Sequence, residues 1–426
     1  MRPNTGSTRR SINSAMRRAV NALFDRVVRA NTRVFSKTEA AFPVLIGGGI
    51  VIGMAAGLLA ARGVGLSFGH SAATVAVALM SALTLPAARV TIGTEYAAVR
   101  WASNGVYHYQ IAAFTGAGIF VACMGWPAPA SLDIVAVGLG TAQVFGRMGC
   151  LLAGCCHGRP HSWGIRYVAD GASGAVRGHL IGVRLFPIQA FEALWLALLV
   201  APGSILLLSV RSPADSITWY VISYGAARFL FEFGRGDSCR LYFQGLSEPQ
   251  WTAVILTLVM GAAVFLRVLH VSPWLETGTA LTVGFLFGAT VIVTVRRPVD
   301  RELLGSGHVK EVAEALAWAS TFPNTPEIPA RYASRTSLGC RIATEYPVEE
   351  PNGCRYLLSR PGKPLSSRDA VSLVRLIRAL NHPEMPYQLV RTGPGTYALT
   401  IQPEELVLTA TSVSRRGLAA SHKARE

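Results

Sequence analysis

Between residues 41 and 297 the chain is a succession of long apolar stretches, and that pattern leaves it very few folds. The stretches are 41–61, 71–88, 108–126, 132–153, 187–210, 216–234, 250–266 and 275–295. About 20 apolar helical residues cross the roughly 30 Å hydrocarbon core of a bilayer. Backbone in that medium must satisfy its own hydrogen bonds, which a helix does. Composition agrees: only 15% of the 426 residues are charged, against about 25% in a soluble domain. The expected fold is an all-α polytopic membrane bundle of seven to eight transmembrane helices, followed by a small α+β C-terminal soluble module.

The flanks are a different material. Residues 1–40 are basic, and 10–35 read as an amphipathic helix with Ile12, Met16, Leu23, Phe24 and Val27 at helical spacing. Such a segment suits a membrane surface or a partly disordered basic tail. It has no continuous h-region with a cleavage site, so no cleaved signal peptide is expected. The net charge of +16 is concentrated there, without a zinc-finger or aromatic-interleaved motif. No nucleic-acid partner is therefore expected; the membrane is. Charges and prolines return after the last apolar stretch, and residues 298–409 are expected to form the α+β module. Strands are expected at 356–358, 387–391 and 397–401, with a helix capped by Ser367 running through Leu380. Its inward residues are expected to be Val371, Leu373, Val374 and Leu376, and 410–426 are expected to form a disordered basic tail. Cys340 and Cys354 could pair in an oxidising compartment.

Four ionisable residues fall inside apolar stretches: Arg147, Glu192, Arg228 and Glu232. Each costs at least about 2.5–3.5 kcal/mol in hydrocarbon unless paired or facing a cavity. Arg228 and Glu232 are four apart and share a helix face, with Arg235 a further turn along. Such pairs can serve only to fix helix packing, but their spread over three stretches points to a polar cavity. Two arginines there fit an anion, since the guanidinium fork matches phosphate oxygens. In a bilayer the abundant phosphate esters are phospholipid head groups.

Three motifs carry a resemblance. The first is Gly146-Arg147-Met148-Gly149-Cys150, continuing through Gly154 to Gly158-Arg159. The second is Pro187-Ile188-Gln189-Ala190-Phe191-Glu192, and the third Tyr224-Gly225-Ala226-Ala227-Arg228 with Glu232 and Arg235. In this order they resemble the prolipoprotein diacylglyceryl transferase family of bacterial membrane enzymes, whose pattern also has a Gln at Gln250 and a His at His108. The resemblance implies transfer of a diacylglyceryl group from phosphatidylglycerol, or another phospholipid, to a cysteine thiol in the signal peptide of a lipoprotein precursor. It implies a multi-pass protein of the bacterial cytoplasmic (inner) membrane. By the same resemblance Arg147 and Arg228 neutralise the leaving phosphate, Glu232 orients Arg228 and His108 takes the thiol proton. Gly149, Gly154 and Gly158 permit close backbone approach. Cys150, Cys155, Arg159, Gln189, Glu192, Tyr224 and Arg235 complete the substrate side. No cofactor is implied and no metal ligand is assigned.

The sequence departs from the family pattern at the thiols. Cys150 stands where the family has Asn, and Ala153-Gly154-Cys155 where it has Asn-Gly-Glu, with Cys156 and His157 adjacent. Three readings stay open, in this order: small thiols that pack, thiols with their own chemistry, and soft ligands for zinc or copper. A non-catalytic lipid-binding scaffold is the remaining alternative to a transferase. Residues 2–37 place the N-terminus in the cytoplasm by the positive-inside rule, whereas the family places it outside.

Overall fold

The computed structural model describes residues 5–34, 41–91, 106–168, 176–209, 212–237, 242–296, 300–321, 334–345, 354–381 and 385–401. The tail expected at 410–426 and Cys239 lie outside these residues. A long N-terminal helix α1 (Thr5–Val34) precedes eight helices: α2 (Ala41–Gly63), α3 (Phe68–Thr91), α4 (Val106–Cys123), α5 (Ala128–Ala153), α6 (Ile188–Leu208), α7 (Asp215–Phe231), α8 (Glu248–Phe265) and α9 (Pro273–Arg296). Every apolar stretch is thus a helix. Among the described residues, six of them (α2, α4, α5, α6, α8 and α9) are long and apolar enough to cross a bilayer, rather than the seven to eight expected. The described apolar part of α3, Phe68–Thr84, is shorter. Helix α7 has 17 residues, among them Tyr220, Tyr224 and Arg228, polar residues that lower its apolarity and are buried against protein.

Close helix contact rests on small residues, as van der Waals packing in lipid requires. Gly49, Gly53 and Gly57 form a stripe along α2. A Cβ at Gly53 would lie 2.3 Å from the Gly138 carbonyl, and one at Gly49 2.6 Å from Phe145 Cβ. Gly57 faces Ile134, so α2 and α5 run antiparallel. At one end of the bundle, buried Asp133 accepts the N–H groups of Ala214 at 3.0 Å and Ile217 at 2.8 Å. Asp215 there accepts the Ser272 N–H at 2.8 Å. These carboxylates staple the entries of α7 and α9. The opposite end gathers the start of α2, the end of α5, the starts of α6 and α8 and the end of α7. Both chain flanks leave from this end too.

The segment between α5 and α6 builds a two-stranded antiparallel ribbon there, β1 (Pro160–Arg166) with β2 (Arg184–Leu185). Helix α1 is docked on it. Asn21 Oδ1 accepts the Gly164 N–H at 2.9 Å, and Asp25 takes a two-pronged contact from Arg184 at 3.1 and 2.9 Å. The expected helix is present, and its inner face, with buried Val28, lies on protein rather than on lipid alone. A second short ribbon, β3 (Tyr242–Phe243) and β4 (Leu246–Ser247), enters α8, which a Ser247–Gln250 capping box opens.

The C-terminal unit begins with α10 (Asp300–Leu303) and α11 (Ser306–Thr321). Strands β5 (Ser334–Arg335), β6 (Arg341–Glu345) and β7 (Cys354–Ser359) follow, then α12 (Ser367–Asn381), β8 (Tyr387–Gly393) and β9 (Thr396–Ile401). The sheet is antiparallel with order β5-β6-β7-β9-β8. The expected strands and helix are there. Helix α12 is opened by Ser366, whose Oγ accepts the Asp369 N–H at 3.1 Å, rather than by Ser367. It buries Ala370, Leu373, Val374, Leu376 and Ile377, while Val371 faces outward. The shift follows from where the cap sets the helical phase. Cys340 is buried as a free thiol. Leu316, Ile342, Tyr356 and Leu373 form one continuous core with Ile165, Tyr167 and Leu185 of the α5–α6 segment. The C-terminal unit therefore sits over the same end of the bundle as that segment.

Candidate active site at one end of the bundle

The three sequence motifs meet through backbone. Gly158 N–H bonds to the Phe186 carbonyl at 3.1 Å, Arg159 N–H to Gly234 at 3.1 Å, and Gly236 N–H to His157 at 3.0 Å. A Cβ on Gly158 would lie 2.4 Å from the Phe186 oxygen, so only glycine lets the strands close this near. Gly154 closes α5 in the left-handed conformation at φ 80°. The expected close approaches at Gly154 and Gly158 are thus between protein segments. Gly149 gives room to Phe42 of α2.

Beneath this stitching lies Glu192, on the second turn of α6, with a fully buried side chain. Three arginines converge on it. Arg147 Nε stands 2.6 Å from Oε2; Arg228 Nη1 and Arg235 Nη1 each stand 3.5 Å from Oε1. These are ion contacts, and neither Glu192 oxygen receives an aligned hydrogen bond. Arg228 Nη1 also donates to Glu232 Oε2 at 2.5 Å, the expected i,i+4 pair, with Glu232 capping the end of α7. Arg235 is held from the rim by Asp237 through two bonds, at 2.9 and 3.1 Å. Three cations face three carboxylates, so the burial of each guanidinium is compensated and its direction fixed.

The partners of Arg147 and Arg228 leave guanidinium donors unused. A guanidinium has five N–H groups. Among the described residues, Arg147 comes nearest Glu192 through Nε, and the aligned hydrogen bond from Arg228 to a carboxylate is that of Nη1 to Glu232. Arg159 donates from Nε to the Arg235 carbonyl at 3.1 Å. Gln189 donates to the Cys155 carbonyl at 2.8 Å, and its own Oε1 is buried without a hydrogen-bond partner. Tyr224 is buried, and its hydroxyl also lacks one.

His108 lies at the same end, the third residue of α4, with Nε2 3.6 Å from Glu248 Oε1 and a quarter of its side chain exposed. Its neighbour Tyr107 is the residue that turns inward. The Tyr107 ring meets Tyr224 edge-on at 5.7 Å, within electrostatic reach of Arg228 and Glu192, and its hydroxyl is buried without a partner. Sequence reasoning passed over it, because an aromatic at the start of a span reads as an interfacial anchor. It also passed over a polar chain beside the site: Gln110 donates to Tyr220 at 2.8 Å, and Tyr220 to Gln143 at 3.0 Å. The spacing of Gln143 one helical turn before Arg147 was the available signal.

The thiols of Cys150, Cys155 and Cys156 form a separate cluster, their sulfur atoms all within 4.8 Å of one another. Cys156 adopts the left-handed conformation at φ 56°.

Residues 105–267 match the prolipoprotein diacylglyceryl transferase family. A phosphatidylglycerol–prolipoprotein diacylglyceryl transferase of Clostridium tetani is 31% identical over 167 residues, 38% of this chain and 64% of that protein. The Clostridium perfringens protein named phosphatidylglycerol–prolipoprotein diacylglyceryl transferase 2 is 39% identical over 110 residues, 25% of this chain and 40% of its own. A Dehalococcoides mccartyi transferase of the same name is 31% identical over 126 residues, covering 29% and 46%. The chain spans less than two thirds of the length of these relatives. The matched family region contains the whole Arg–Glu cluster and the thiols; α1, α2, α3 and the C-terminal unit lie outside it.

Proposed function

We propose that this chain is a transferase of the bacterial cytoplasmic membrane that moves a diacylglyceryl group from phosphatidylglycerol to a cysteine thiol of a lipoprotein precursor. The observation that carries this reading is the pair Arg147 and Arg228, buried, fixed on one carboxylate and still holding unused donors. A donor set that is ordered before substrate arrives stabilises developing charge without reorganising. In this reaction the charge develops on the phosphate oxygen as the glyceryl C–O bond breaks. The two guanidinium groups take the leaving phosphate, and Glu232 keeps Arg228 in place. The substrate side is completed by Gln189, Tyr224, Arg159 and Arg235. His108, beside Glu248 at the same end, takes the proton of the acceptor thiol as general base. The described part of the C-terminal unit and α1 act as accessory segments over the site-bearing loop.

The test uses purified full-length protein, phosphatidylglycerol labelled in its acyl chains, and a lipobox peptide with one cysteine. Label should move to the peptide. Arg228→Ala should lower the rate by about 100-fold or more, the scale of losing one charge-stabilising donor set. A native rate in that variant overturns the phosphate role. A peptide left unlabelled by folded, lipid-binding native protein overturns the transferase reading.

A further inference from the structure

The three thiols are not used by the mechanism above, and their geometry is not that of casual packing. Cys150 lies in the last turn of α5, while Cys155 and Cys156 follow the Gly154 cap. The chain then has to double back to bring all three sulfur atoms within 4.8 Å. Two features hold that reversal. Gln189 of α6 grips the Cys155 carbonyl at 2.8 Å, and Cys156 takes a left-handed backbone at φ 56°. A non-glycine residue persists there at a cost of order 1–3 kcal/mol only where its surroundings impose it.

We propose that Cys150, Cys155 and Cys156 form a three-thiolate site for a zinc-type thiophilic cation, with a fourth coordination position open to an incoming thiol. Zinc–sulfur bonds of about 2.3 Å place sulfur ligands roughly 3.8–4.0 Å apart, so closure onto a cation needs shifts below about 1 Å. Three protein ligands with one vacant position is the arrangement of catalytic rather than structural zinc. His157 is not a member of the cluster: its Nδ1 donates to the Gly158 carbonyl at 2.9 Å. Three thiolates with a dication carry an excess of one negative charge. Arg147 and Arg235 lie within electrostatic reach of Cys156 and offset it.

What the fourth position does rests on the transferase reading; the binding of the metal does not. An acceptor thiol that enters it gives up its proton, which passes to His108 as above, and binds as thiolate. The sulfur electron pair then attacks the glyceryl carbon. The C–S bond forms, the C–O bond to phosphate breaks, and the electron pair leaves on the phosphate oxygen toward Arg147 and Arg228. The thioether product is a weaker ligand and departs. In this arrangement thiols replace the Asn and Glu of the family pattern with a means of activating the acceptor.

The experiment uses full-length protein purified in detergent under a non-thiol reductant, with Zn2+ and Co2+ as probes. One zinc per chain should be found by elemental analysis, and Co2+ should give a near-ultraviolet thiolate charge-transfer band that Zn2+ abolishes. Cys155→Ser and Cys156→Ser should each weaken binding at least about tenfold, while Cys340→Ser, in the C-terminal unit, should leave it intact. Gel filtration and melting curves check that each variant is folded. A cysteine-containing lipobox peptide should perturb the Co2+ spectrum, and its serine counterpart should not. Absence of metal from folded native protein, binding unchanged in the Cys155 and Cys156 variants, or a disulfide within the trio in protein from intact membranes overturns the proposal. Metal binding without lipid transfer keeps the site and defeats the transferase reading. Transfer undiminished in a folded triple variant keeps that reading and removes the thiols from it.

Discussion

Glu192→Gln is the sharpest probe of the architecture described above. The substitution keeps volume and removes one charge. In the native protein Glu192 faces Arg147 at 2.6 Å and Arg228 and Arg235 at 3.5 Å, with no side-chain exposure. Afterwards the three guanidiniums retain only Glu232 and Asp237, and Arg147 retains no carboxylate contact among the described residues. Removing one partner of a buried ion pair costs about 3–5 kcal/mol, because the other charge stays desolvated. With about 2–4 °C per kcal/mol for a region of this size, the melting midpoint should fall by roughly 6–20 °C. The assay is thermal unfolding in detergent at one fixed scan rate, since such transitions are commonly irreversible. Arg147→Met added to Glu192→Gln should restore part of the loss, with a coupling of about 0.5–3 kcal/mol. A midpoint within about 2 °C of the parent, together with strict additivity, would refute Glu192 as the hub.

The other predictions address separate parts of the molecule. Tyr107→Phe removes a buried hydroxyl with no partner, so the melting midpoint should hold or rise while lipid transfer falls; unchanged transfer would place Tyr107 outside the reaction. Gly53→Ala drives a methyl to 2.3 Å from the Gly138 carbonyl and should destabilise the bundle by about 1–3 kcal/mol, read as a lower midpoint. In the C-terminal unit, burial holds the His308 imidazole below its ordinary range, with Nδ1 donating to the Leu303 carbonyl and Nε2 accepting from Thr336. Its neutral form is the one folding favours, so this stability is full above the ordinary value near 6.5 and is lost as pH falls from there toward the lower folded value. Melting curves from pH 8 to pH 5 should show a decline that His308→Gln lessens.

Much was legible in the sequence because membrane physics writes itself into composition. Each of the eight apolar stretches became a helix, with ends within a few residues of those expected. In the C-terminal unit, strands β7, β8 and β9 and helix α12 were readable from alternation and turn residues, whereas β5, β6 and α11 were not. The Arg228–Glu232 pair followed from helical periodicity alone, since both residues belong to one turn. The number of crossings was less legible. Hydropathy treats α7 as a span like the others, although it has only 17 residues and buries Tyr220, Tyr224 and Arg228.

The sequence by itself determined that the chain enters a bilayer, where its helices lie, and which ionisable residues must find partners inside. Those outcomes depend on local free energies: transfer of apolar side chains, helical hydrogen bonding within a segment, and the cost of unpaired charge. Only the tertiary structure decided which partners were found. Glu192 became the meeting point of three arginines from α5, α7 and the turn after it, and Tyr107 rather than His108 turned toward them. Three thiols spread over seven residues came within 4.8 Å of one another. Helix α1 and the C-terminal unit settled over the site-bearing loop and share its core. Each of these depends on how helices rotate and cross, and that is set by contacts such as Gly53 against Gly138, made between residues far apart in the chain.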